Sequence, residues 1–153
     1  MKKIQFILLV VMAALYSVTA LAQTKTKADA VSEIFTLVNK HRTQVGLKPL
    51  KMVTVISTEA ARHSRDMASG KTAFGHDGFD KRFDKLTTAI KNGTSMAENV
   101  AYSTGSPARV VDNWLQSPGH KKNIEGDYTL TGIGLAKAAD GQVYYTQIFL
   151  KDR

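Results

Sequence analysis

The chain has 153 residues, 43% of them hydrophobic and 22% charged, with no cysteine and a formal net charge of +8. That length and apolar share support one self-sufficient core, and the missing cysteine excludes a disulfide framework and a lipid-modified cysteine anchor. The basic residues are scattered and no nucleic-acid motif is present, so the charge reads as a solvated basic surface and nucleic acid is not an expected partner.

Lys2 and Lys3 precede the apolar run IQFILLVVMAALYSV, and Ala20-Leu21-Ala22 supplies small residues of the kind found at a cleavage site. Residues 1–22 are therefore expected to be a secretory signal peptide. No second apolar run follows, so no transmembrane segment is expected after cleavage, and the destination is secreted or periplasmic. Loss of Lys2 and Lys3 lowers the net charge to +6. The polar residues 23–28 are expected to form a flexible N-terminus, and residues 29–153 a single domain, taken to be a monomer.

From Ala28 a helical period places Val31, Ile34, Phe35, Val38 and Val45 on one stripe, with Gly46 past the end and Pro49 preventing continuation. A second helix is predicted over Thr54 to Ser69, its face formed by Ile56, Ala60, His63, Ser64 and Met67, and Gly70 ends it. FGHDGF reads as a loop, DKRFDKL as a short helix, KNGT as a turn, and Met96 to Tyr102 as a strand. Ser106-Pro107 is a helix start, and Val110, Val111, Trp114 and Leu115 face inward from the helix it opens. Ser117-Pro118-Gly119 is expected to break that helix and leave His120 on a turn. The last third changes period: LTGIGLAKA and QVYYTQIFL are strand-like, joined by a turn at Ala139-Asp140-Gly141. Helices first and strands last predict an α+β domain with helices packed against a small antiparallel sheet.

Four histidines and one acid stand out. His41 suits the end of a helix, and His63, at the margin of an apolar stripe, reads as a packing residue. His76 and His120 each follow a glycine, which can aim a side chain into a cleft. Glu98 lies inside the apolar run MAENVAY, where it must either face solvent or find a partner such as a histidinium, a metal or backbone N–H groups. Two imidazoles and a carboxylate form an open zinc set, yet there is no HExxH pair, and a serine or cysteine hydrolase has no GxSxG and no cysteine to stand on.

Taken in order, IFTLVNKHRTQVGLKPL, AARHSRDMA, FGHDGF, AENVAY, WLQSPGHKKNI and GIGLAKAADGQVYYTQIF resemble the CAP superfamily of SCP domains: cysteine-rich secretory proteins, antigen 5 and pathogenesis-related proteins. The short, cysteine-free form is most similar to the bacterial secreted branch. The resemblance implies an α-β-α sandwich around a three-stranded antiparallel sheet. It also implies a cleft built on two histidines and two acids, associated in some members with divalent metal binding. Carried over, the histidines fall on His76 and His120 and the first acid on Glu98. The second acid is missing, because Gln116 and Ser117 stand where a glutamate is wanted and Asp112 precedes Trp114. Three functions are compatible with this reading. The first is a binding module, requiring no cofactor, for a small molecule, lipid, metal or cell-envelope component. The second is a metal-dependent hydrolase, with Zn²⁺ or another divalent cation held by His76, Glu98 and His120. The third is a purely structural polar trio.

Overall fold

The structure, a computed structural model, describes residues 27–153. The expected signal peptide and most of the flexible N-terminus lie outside the described residues, although 27 and 28 are already helical. The chain divides after Ala30, and Val31–Arg153 is one compact unit. The elements of the described residues are α1 (27–44), β1 (Lys51–Met52), α2 (Thr54–Ala68), α3 (Phe79–Ala89), β2 (Ser95–Ser103), α4 (Pro107–Gln116), α5 (Pro118–Ile124), β3 (Leu130–Lys137) and β4 (Val143–Lys151).

The sheet order is β1-β3-β4-β2. Its last two strands in sequence form the expected hairpin through a turn in which Gly141 takes φ +91°. β2 pairs antiparallel with β4 along its whole length, Ser95↔Lys151 to Ser103↔Val143, and is an edge strand. The sheet is mixed and four-stranded, where three antiparallel strands were expected. The addition is β1, two residues pairing parallel with Leu130 and Thr131, too short to carry any periodicity.

Each face of the sheet carries its own core. On one face α2 and α3 contribute Ile56, Ala60 and Leu86 against Leu130, Ile148 and Leu150. On the other α1, α4 and α5 place Ile34, Val38, Val110, Trp114 and Ile124 against Ile133, Tyr145 and Phe149. The predicted inward positions of α2 and α4 are buried, with Leu115 partly so, but Val45 is 49% exposed because α1 has ended before it. α4 opens as expected, with the Ser106 hydroxyl accepting from the Arg109 backbone N–H at 3.4 Å and Pro107 in the first turn.

Two glycines decide how closely α2 lies on the sheet. A Cβ at Gly132 would sit 2.2 Å from the Ser57 backbone nitrogen, and one at Gly134 would sit 2.0 Å from that of Ala61. Neither obstacle is a movable side chain tip, so helix and strand meet backbone to backbone. Ser64 then reaches the Gly134 carbonyl at 3.1 Å and the Thr146 hydroxyl at 2.8 Å. Gly134→Ala is therefore expected to force α2 off the sheet, with a loss of about 3 kcal/mol or more in urea unfolding. A loss under about 0.5 kcal/mol would show that the interface yields freely.

Candidate functional site

Glu98 sits on edge strand β2 with its side chain wholly buried. The carboxylate is met by a guanidinium: Arg82 of α3 donates from Nε to Oε2 at 2.8 Å and from Nη2 to Oε1 at 2.7 Å. This bidentate geometry is the strong form of the pair and answers the desolvation problem posed by an acid in an apolar run. His76 Nδ1 lies 2.9 Å from the same Oε1. A carboxylate can only accept, so Nδ1 carries the proton and Nε2 is left as the outer nitrogen of a half-exposed ring.

The loop holding His76 is fastened from below. Arg82 donates to the Asp77 carbonyl at 2.8 Å and lies 3.5 Å from the His76 carbonyl. His63 Nε2 is 2.8 Å from the Gly75 carbonyl, while its Nδ1 is 3.3 Å from Arg82 Nη1. One contact needs a donor and the other an acceptor, so His63 is neutral with its proton on Nε2. Burial pushes its pKa below the ordinary imidazole value, opposed by the Gly75 carbonyl and the Glu98 charge. Gly78, at φ +74°, turns the chain from this loop into α3.

His120 reaches the site from the other helical layer. It is not on a turn: Pro118 starts a new helix after the chain extends at Ser117, and His120 lies inside α5. Proline cannot continue α4, but it is well placed in a first helical turn. Asn99, the neighbour of Glu98 on the opposite face, donates to the His120 carbonyl at 3.1 Å and accepts from Asn123 at 2.9 Å. Asn123 also lies 3.3 Å from the Glu98 carbonyl, and Trp114 Nε1 donates to the Val100 carbonyl at 3.3 Å. Side chains of α4 and α5 thus cap the free edge of β2. The half-buried His120 ring has its pKa lowered by desolvation and then by the His76 charge.

Of the three residues the sequence pointed to, His76 and Glu98 are hydrogen-bonded, while His120 is tied to β2 only through its backbone carbonyl and Asn99. Sequence reasoning missed Arg82 and gave His63 only a packing role. Arg82 lies in the charged segment DKRFDKL, where nothing separates an inward-facing arginine from solvated neighbours.

The profile described as CAP, cysteine-rich secretory protein family, matches residues 35–149. The chain belongs to the CAP family. This CAP chain is 32% identical over 120 residues to the uncharacterized protein YkwD of Bacillus subtilis, an alignment covering 77% of this chain and 46% of YkwD. The chain thus spans less than half of that relative. An extracellular SCP-domain protein of Bacillus anthracis superposes with a TM-score of 0.70 at 26% identity, covering 82% of this chain and 41% of the other. An outer surface protein of Borrelia burgdorferi shares the fold at a TM-score of 0.69 and 18% identity, covering 82% of this chain and 94% of the other.

The cleft of this CAP domain does not fit a cation held jointly by His76, Glu98 and His120. Both Glu98 oxygens are engaged, its side chain has no exposed surface, and a guanidinium lies against it. Among the described residues no three His, Cys, Asp or Glu side chains are grouped to hold a metal ion. Gln116 and Asp112 are both exposed on α4 and supply no second acid to the pair.

Removing the Arg82 charge strands a buried carboxylate. Arg82→Met is expected to cost about 3–5 kcal/mol, and Arg82→Met with Glu98→Leu considerably less. Equal losses in both, by urea unfolding, would show that the pair is not coupled. Burial lowers the proton affinity of His63 and His120 in the folded chain, so the unfolded chain takes up protons first as pH falls. Stability is therefore complete above the ordinary imidazole value of 6.5 and declines below it. Urea midpoints across pH 5 to 8 should show this slope, and it should flatten in His120→Gln.

Proposed function

We propose that this CAP domain is an exported binding module whose cleft holds an acidic group of a cell-envelope component between the His76 and His120 imidazoles. The observation that carries the reading is the complete burial of Glu98. An acid with no exposed surface and both oxygens engaged is poorly placed to act as a metal ligand or a general base. Its charge acts outward only through His76, whose tautomer and orientation it fixes. The Arg82 charge cancels that of Glu98, so what the cleft offers a ligand is two imidazole edges. Neither the metal-dependent hydrolase nor a trio without a ligand is favoured, the second because the half-exposed His76 ring is oriented yet left open to solvent.

The surroundings favour an anion. Lys121 and Lys122 follow His120 on α5 and, with Asn123, Glu125 and Tyr128, line an open groove of about 550 Å³. Lys121 faces Glu125 at 3.8 Å, too long for a strong pair. Export rests on the leader-like residues 1–22 and on the extracellular Bacillus anthracis relative. Among the described residues no helix is long and apolar enough to cross a membrane.

The test is sedimentation with isolated bacterial envelope fragments over a salt series, beside calorimetric titration with zinc chloride. Wild-type protein is expected to sediment with the fragments less as salt rises. The His76→Ala, His120→Ala double variant should lose this association while melting within a few degrees of wild type. Unchanged association in the double variant would remove the cleft from the binding surface. Micromolar zinc binding lost in both single variants would restore the metal-centred reading.

A further inference from the structure

Three aromatic rings meet at the end of the sheet beside the cleft. Tyr102 and Tyr144 are register partners on β2 and β4, with centroids 5.9 Å apart and planes tilted by 38°. Phe74, from the loop that carries His76, stands edge-on to Tyr102 at 4.9 Å and lies 6.3 Å from Tyr144. Phe74 is 49% and Tyr102 54% exposed. A cross-strand tyrosine pair alone is ordinary sheet stabilisation. Phe74 is not explained that way, since it comes from outside the sheet and completes a cluster that stays half in water. Two large exposed rings packed on a partly buried third point to a contact surface.

The cluster is continuous with the cleft. Phe74 is two residues before His76, and the carbonyl of the intervening Gly75 is held by buried His63, so platform and imidazole are set by one latch. Tyr102 lies four residues beyond Glu98 on the same face of β2, roughly 13 Å along the strand. A ligand spanning both must offer flat C–H faces at one end and an acidic or hydroxyl group at the other, at the spacing of a few rings. A lipid chain would fill the apolar end only, and a bare anion only the polar end. We propose that Phe74, Tyr102 and Tyr144 form a stacking platform for an acidic saccharide whose charged group reaches His76 and His120. This rests on the reading of the cleft given above and adds the chemical class of its ligand.

The experiment is calorimetric titration of the full chain with tetragalacturonate, and with cellotetraose as the uncharged counterpart. Phe74→Ala, Tyr102→Ala and His76→Ala are compared, with thermal melts confirming that each is folded. Tetragalacturonate should bind more tightly than cellotetraose, and each aromatic variant should weaken it roughly tenfold, about 1.4 kcal/mol, while remaining cooperatively folded at the temperature of titration. Binding lost in His76→Ala but unchanged in both aromatic variants overturns the platform and leaves the cleft standing. Binding weakened by the aromatic variants but indifferent to His76→Ala keeps the platform and removes the cleft from ligand contact. No binding of either oligosaccharide at millimolar concentration overturns the proposal.

Discussion

The buried pairing of Arg82 with Glu98 is the contact on which the site depends. An ionised carboxylate without solvent is tolerable only when paired and fully hydrogen-bonded, and here one guanidinium meets both of its oxygens. The same guanidinium reaches the carbonyl of Asp77 and the Nδ1 of His63. α3, the His76 loop, α2 and β2 are thereby tied at one point. The Glu98 charge is thereby neutralised within the protein.

A second constraint is that β2 is an edge strand. An interior strand would separate the two helical layers, whereas an edge lets both reach around it. Glu98 and His76 approach from the side of α2 and α3. His120 arrives from the side of α4 and α5, held by the amides of Asn99 and Asn123. The Asn123 amide and the Trp114 indole also satisfy carbonyls of the strand, which removes an invitation to edge-to-edge pairing. On the interior strand β3, Gly132 and Gly134 bring α2 close enough for His63 to sit beneath the loop.

Family membership establishes the fold and leaves the chemistry to the particular side chains. By resemblance to the family, His76, His120 and Glu98 fall on the expected positions, and Gln116 and Ser117 stand where a second acid is wanted. The remaining acid is turned inward onto Arg82.

The sequence by itself determined the elements whose residues repeat at a helical or strand period: α2 with its buried face, the capped start of α4, and the β3–β4 hairpin. It also singled out His76, Glu98 and His120, because glycine-flanked histidines and an acid in an apolar run are locally anomalous. Tertiary structure decided what local pattern does not encode. β1 exists only because Leu130 and Thr131 offer it partners, and Val45 is exposed because α1 stops before it. α5 forms because a proline that ends one helix can begin the next. Arg82 and His63 belong to the site because they meet Glu98 and Gly75 in space, 16 and 12 residues away along the chain. The partner of a buried charge is chosen by proximity after folding, and neither hydrophobic period nor residue type announces it.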